Sequence, residues 1–155
     1  MTIRAGTVGD IPSVLPMVAK TIAFHDALDP ARFGAVPNAG QRYDGWMQRL
    51  AGSDTGVFLV ADEQGELAGF VLGQVQDDYA MYRLGRYGFI HELWVEEEQR
   101  RKGIGKALML AALSRFRTAG VPQVRLDTAA KNEAAQRLFK ACGFRSSTIE
   151  MLAEI

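Results

Sequence analysis

Apolar residues along the 155-residue chain recur at two spacings, and the switches between them mark out its elements. Ile11, Val14, Leu15, Val18 and Ile22 lie three to four residues apart, which predicts a helix over Ile11–Leu28. Asp10 ahead of Pro12 suits its start, and Asp29-Pro30 its end. A second helix is expected from Gln41 to Ala51, before the breakers Gly52, Ser53 and Asp54. The turn-forming stretch Ala35–Gln41 is expected to loop. The spacing then falls towards two. VFLVADEQGELAGFVLGQV holds two β-rich runs parted by Asp62–Gly65, a hairpin signal. Further strands are expected at Thr2–Ala5, Tyr87–Val95, Gln123–Thr128 and Thr148–Leu152. Helical spacing returns over Ile104–Ala119, ended by Gly120 and Pro122, and over Glu133–Cys142, with Gly143 as its cap. Strands bracketed by helices at both ends indicate an α/β (α+β) protein. Its sheet is expected to be mixed, covered on its faces by about four helices.

The length supports one domain over residues 1–155. Lys plus Arg equal Asp plus Glu at 18 each, so the overall basic field behind nonspecific nucleic-acid binding is missing. The single Cys142 cannot close an internal disulfide, which makes a reducing cytoplasm the default. MTIRAGTVGD lacks the apolar core of a signal peptide, and no run approaches the roughly 18 apolar residues of a membrane span. A soluble cytoplasmic protein without nucleic-acid or membrane partners is expected. His25 and His91 share no metal-ligand spacing with each other or with Cys142, so no metal is expected.

Chemistry enters at QRRKGIGKALML, Gln99–Leu110, between a strand-like run and an apolar helix. A turn carrying Gly103 and Gly105 can aim several backbone amides at one point, where the positive end of the helix dipole is also directed. Arg100, Arg101, Lys102 and Lys106 add charge, so a phosphate or pyrophosphate suits the spot. Two better-known phosphate loops fail on particular residues. A P-loop needs a glycine where Arg100 stands and a Ser or Thr where Ala107 stands. The dinucleotide fingerprint needs a glycine at Leu108 and a first glycine at the strand end, although Asp127 falls near its ribose-binding spacing.

Downstream, Asn132, Ala135, Leu138, Phe139, Gly143 and Phe144 hold fixed offsets along one helix and its cap. A buried helix face explains most of them, since Ala135, Leu138, Phe139 and Cys142 share one stripe, and Asn132 is a good N-cap. In combination, Glu92, Leu93 and Val95 (ELxV), then RRKGIG, then this helix resemble the GNAT superfamily of N-acetyltransferases. The pattern N-x-x-A-x-x-L-Y-x-x-x-G-F is met except that Phe139 replaces tyrosine. The order of helices and hairpin fits too, so the resemblance covers nearly the whole chain. It implies a GNAT-like acyl-CoA acyltransferase fold, with a mainly antiparallel twisted sheet of six or seven strands. It also implies acetyl-CoA as donor, with its pyrophosphate on Arg100, Arg101, Lys102, Gly103, Ile104, Gly105 and Lys106. The pantetheine arm is implied to lie along Leu93, Trp94 and Val95, where strands four and five splay apart at a bulge, with Asn132 touching the cofactor from the side.

Acetyl transfer to an amine needs a neutral nucleophile, yet an alkylamine with a pKa of about 10 is protonated at neutral pH. Glu92 is the candidate base or water-relay partner; alternatively it binds the acceptor's charge or forms a salt bridge. A backbone N–H near Leu93 could meet the charge that grows on the thioester oxygen. Phe139 cannot give a proton to the leaving thiolate, so Tyr82, Tyr87 or water serves, or the thiolate leaves unassisted. Cys142 has no His in a partner position and a buried phase, which argues against a nucleophilic role. Alternation puts His91 on the face opposite Glu92 and so makes it structural, while His25 borders the acceptor pocket. Asp26, Asp29, Asp77 and Asp78, with Tyr79, Tyr82 and Trp46, could welcome a cationic amine, either a small molecule or a peptide. The alternative is a noncatalytic acyl-CoA-binding or sensing module of the same fold. The β-prone STIEMLAEI, placed at a sheet edge, invites pairing into a homodimer.

Overall fold

A computed structural model describes residues 1–155. In chain order the elements are β1 (Thr2–Ala5), α1 (Ile11–Leu28), the one-turn α2 (Pro30–Phe33), α3 (Ala39–Leu50), β2 (Gly56–Glu63) and β3 (Glu66–Asp77). They continue with β4 (Arg86–Val95), α4 (Ile104–Thr118), β5 (Val124–Leu126) and α5 (Glu133–Ala141). Single 3-10 turns stand at Val8–Asp10 and Glu97–Gln99. The strands make one sheet in the order β1-β2-β3-β4-β5. Neighbours from β1 to β4 are antiparallel, and β5 joins β4 in parallel.

Strand alternation splits the apolar residues into two cores, one on each face of the sheet. Phe58, Val60, Phe70 and Leu72 point to one face, where Ile11, Val14, Met17 and Val18 of α1 and Met47 and Leu50 of α3 cover them. Val57, Ala61, Val71 and Ile90 point to the other, beneath Ile104, Leu108, Met109, Ala112 and Phe116 of α4. Phe139, Cys142 and Phe144 extend this second core at α5 and its end. The hairpin between β2 and β3 turns on Gln64 and Gly65, both left-handed with φ of 57° and 96°, and Asp62 Oδ1 accepts from the Gly65 amide at 2.7 Å.

Several expectations are corrected. The sheet has five strands rather than six or seven, because Thr148–Leu152 has no neighbour to pair with and is not a strand. The strand expected over Gln123–Thr128 keeps only Val124–Leu126, the length over which β4 accompanies it. Asp29-Pro30 does end α1, but Pro30 then opens α2, so there are five α-helices rather than four. The second long helix begins at Ala39, inside the expected loop. No helix is long and apolar enough to cross a membrane.

Candidate active site

The site is built around β4, which is longer than its parallel neighbour. Pairing with β5 stops at Ile90↔Leu126, so from His91 to Val95 the strand runs on with one edge open. The Trp94 carbonyl faces β3, since its oxygen lies 2.5 Å from where a Cβ on Gly69 would sit. Alternation therefore turns the N–H and C=O groups of Leu93 and Val95 to the open edge. Arg100 Nε donates to the Val95 carbonyl at 3.0 Å, leaving the Leu93 pair and the Val95 amide there. Because β4 and β5 are parallel, the N-termini of the helices that follow them, α4 and α5, lie at the same end of this wedge.

Past Val95 the chain makes a compact turn with two left-handed residues, Arg101 at φ 64° and Gly103 at φ 82°. A side chain at Gly103 would meet no neighbour, so its backbone conformation is what calls for glycine. At Gly105 the reason is room, since a Cβ would come within 3.1 Å of Leu138 Cδ2 on α5. The amides of Gly103, Ile104, Gly105 and Lys106 have no hydrogen-bond partner in the chain, as expected for the first turn of α4, and the helix dipole reinforces them. Arg101, Lys102 and Lys106 are exposed around this point. Arg100 is folded back, its guanidinium 4.7 Å from the Trp94 ring centre, and Lys102 Nζ donates to Gln99 Oε1 at 2.7 Å. Asn132 caps α5, its side chain accepting from the Ala135 amide at 3.2 Å.

The face of β4 beneath α1 and α3 carries the titratable groups. Register with β3 passes from Leu72↔Glu92 directly to Gly73↔Ile90, so His91 is an unmatched extra residue, a β-bulge. The bulge cancels one step of alternation, and His91 lies on the same face as Glu92 rather than opposite it. Its ring packs edge-on to Trp46 at 5.0 Å and against Phe89 at 4.7 Å, with Nε2 bonded to Gln76 at 3.1 Å. The Tyr43 hydroxyl of α3 donates to the Glu92 carboxylate. Burial raises the Glu92 carboxyl above its ordinary 4.5, against the pull of the Tyr43 bond and the nearby His25. The Tyr43 phenol is also pushed well up, first by burial and then by the charge of Glu92. Burial lowers His91 below 6.5, with Asp127 opposing, so its imidazole is neutral at neutral pH. Arg42, Tyr43, Trp46, Gln74 and His91 line a cavity of about 320 Å³ beside Glu92.

His25 sits at the far end of this face, its Nδ1 2.9 Å from the Thr21 carbonyl and its ring 5.3 Å from Phe33. Trp46 Nε1 donates to Gln74 Oε1 at 3.2 Å. Four other residues expected to greet an amine, Asp77, Asp78, Tyr79 and Tyr82, are not brought here. Asp78 is bound by Arg125 at 2.7 Å, Asp77 faces Arg86 at 3.8 Å, and Tyr79 and Tyr82 pair with each other on an exposed loop. Tyr87 donates to Gln76, and Phe139 packs edge-on to Phe144 at 6.1 Å in the second core. Tyr43 is not marked as a site residue by the sequence, where it shares the helical stripe of Trp46, Met47 and Leu50 that turns α3 to the sheet. Cys142 is half-buried and its thiol is raised by burial, against the nearby Lys106. No group of three or more His, Cys, Asp or Glu is placed to hold a metal ion.

Comparison with known proteins places this geometry. A sequence model described as the acetyltransferase (GNAT) family matches residues 22–144. A mycothiol acetyltransferase of Thermobispora bispora is 34% identical over 99 residues, 64% of this chain and 33% of that protein. An aminoglycoside N(6')-acetyltransferase type 1 of Stenotrophomonas maltophilia is 28% identical over 117 residues, 75% of this chain and 76% of that one. The chain thus spans about a third of the length of the first of these and most of the second. Among solved structures, aminoglycoside N-acetyltransferase AAC(6')-Iy in complex with CoA superposes with a TM-score of 0.76 at 17% identity, over 99% of this chain and 93% of that one.

Proposed function

The chain belongs to the acetyltransferase (GNAT) family, and on that premise we propose that it moves an acetyl group from acetyl-CoA to a primary amine. One conjunction carries this reading: a half-open strand leads straight into a turn of unpartnered amides, and a buried carboxylate sits on the same strand. The residues fit the parts of the donor. Amides of Gly103 to Lys106, with Arg101, Lys102 and Lys106 around them, would hold the diphosphate. Main-chain groups of Leu93 and Val95 would pair with the amide-bearing arm as an added strand does, beside Trp94. Arg100, turned onto Trp94, would stiffen this end of β4, and Asn132 would flank it from α5. The thioester supplies an activated acetyl carbonyl. A neighbour solved with CoA supports the assignment of the cofactor.

Glu92 would take the proton from the incoming ammonium, directly or through water, while Tyr43 holds its carboxylate in place. A carboxyl raised by burial is a stronger base than one in water, which suits the task. The Leu93 amide is the donor available to the thioester oxygen. Phe139 offers no proton, and a thiol of pKa about 8.5 can leave without one. The acceptor would be a small amine received in the cavity lined by Tyr43, Trp46 and His91. Names of relatives that act on mycothiol and on aminoglycosides agree with a small-molecule acceptor. We take the chain to be one domain and its assembly to be a homodimer, because Ile149, Met151 and Ile155 stand exposed together.

Phe139 favours one other reading, a noncatalytic acyl-CoA-binding module of the same fold. Thermal shift with CoA, acetyl-CoA and NAD, followed by thiol release across an amine panel, separates the two. Stabilisation by CoA with amine-dependent thiol release supports the enzyme, and stabilisation with no release by any amine supports the binding module. No shift at saturating CoA overturns both.

A further inference from the structure

Hydrogen bonding in the wall of the cavity beside Glu92 leaves an uneven remainder. Trp46 Nε1 gives its proton to Gln74 Oε1 at 3.2 Å, and an indole can only donate, so the Gln74 oxygen is fixed towards Trp46 and its amide Nε2 is left over. A second relay starts at Tyr87, whose hydroxyl donates to Gln76 Oε1 at 3.1 Å. That turns Gln76 Nε2, a donor, to His91 Nε2 at 3.1 Å, which must accept. A neutral imidazole that accepts at Nε2 carries its proton at Nδ1. Burial keeps this ring neutral, so His91 offers one N–H with no partner in the chain. Arg42, one turn before Trp46 on α3, lines the same cavity, is exposed and forms no ion pair. The Tyr43 proton goes to Glu92. What remains unused in this wall is therefore a guanidinium, a carboxamide N–H and an imidazole N–H.

We propose that the amine acceptor carries a carboxylate, received by Arg42, Gln74 Nε2 and His91 Nδ1 while its ammonium faces Glu92. The inference rests on the acetyl transfer proposed above and names the class of its acceptor, a small amino acid. Unused donors gathered around one fixed positive charge call for an oxyanion. A single guanidinium matches a singly charged group, and its planar fork fits two carboxylate oxygens. Glu92 and Arg42 flank Tyr43, the first through its hydrogen bond and the second as its neighbour in the chain, so both charges border one cavity. At about 320 Å³ that cavity is at the lower end of the range for ligand sites, which suits a short molecule. Asp127, the carboxylate that acts on His91, does so from the end of β5 and is not part of the wall. An acceptor with several ammonium groups would set like charge against Arg42 and bring donors where donors already stand.

Steady-state thiol release from acetyl-CoA tests this with amines in sets of matched length, each an amino acid, its primary amide and the corresponding diamine. Wild type is expected to favour the best amino acid over its amide by about tenfold or more in kcat/KM, and over the diamine by more still. Arg42→Gln should raise KM for that amino acid about tenfold, change kcat by less than about threefold, and bring the ratio of amino acid to amide down to about one. Arg42→Glu should turn the preference to the diamine. Arg49→Gln, at an exposed arginine of the same helix outside the cavity, should keep the wild-type ratio. Both arginines are exposed, so these variants do not put the fold at risk. A wild type that turns over the amide or the diamine as well as the amino acid, or a preference that survives Arg42→Gln, overturns the carboxylate site and leaves acetyl transfer standing. Release with none of the amines overturns both.

Discussion

Between Gly103 and Lys106 the molecule offers main-chain amides from one short, contiguous turn, whereas around Glu92 it offers side chains gathered from α1, α3, β3 and β4. The two regions meet on the same strand and are vulnerable to different changes. Amides are set by dihedral angles, so the turn changes its ligand only if the backbone moves. The cavity beside Glu92 is bounded by Tyr43, Trp46, Gln74 and His91, any of which one substitution can reshape. Acetyl donor and amine acceptor, on this view, are recognised by parts of the site that can vary independently.

Five substitutions probe that division. Glu92→Gln should lower kcat by about 10²- to 10⁴-fold, read by steady-state thiol release, while the thermal shift with CoA stays as in wild type. Loss of CoA binding in that variant would mean that the two regions are not separable. Gly103→Val forces a β-branched residue to φ 82° and should weaken CoA about 10- to 100-fold by calorimetry, whereas Lys102→Ala should cost only about threefold.

Tyr43→Phe tests the carboxylate side through pH. Burial raises Glu92 and the Tyr43 bond opposes it, so losing the bond should move the acidic limb of kcat/KM up by about one pH unit. A limb that stays put, or moves down, would remove Tyr43 from the proton chemistry. The raised carboxyl also has a stability signature. Above pH 4.5 the folded chain holds this proton more tightly than the unfolded one, so this group's contribution falls as pH rises through its folded pKa. Glu92→Gln should flatten that slope in a series of melting temperatures. Phe139→Tyr should change kcat by less than about threefold, since the ring packs against Phe144 in the second core. A tenfold rise would show that protonating the thiolate limits turnover.

Much of the fold could be read where backbone chemistry is local. Both ends of α1 fall where Pro12 and Asp29-Pro30 put them, because a proline acts on its immediate neighbours. The start of α3 did not, since Asn38 makes no side-chain cap bond that would mark it. The turn at Gly103 and Gly105 was legible for the same local reason. What escaped depends on partners distant in sequence. Thr148–Leu152 has the residues of a strand but no neighbour in the sheet, and β5 is as long as the pairing that β4 gives it. Tyr43 lay on an apolar helical stripe that signalled core and concealed a hydroxyl reaching Glu92. Strict alternation puts His91 on the wrong face because a bulge is defined by register against β3, which one strand read alone cannot reveal.

That unmatched histidine inverts the parity of the strand. Before it, odd-numbered Tyr87 and Phe89 look towards α1 and α3; after it, even-numbered Glu92 and Trp94 do. Substituting His91 would alter one ring, whereas deleting it would make Ile90 and Glu92 neighbours opposite Gly73 and Leu72, a regular strand with Glu92 and Trp94 still turned towards α1 and α3. What the extra residue adds is a local bend and twist of β4 beside the site, so its deletion would change the shape of the strand there and leave its two faces as they are.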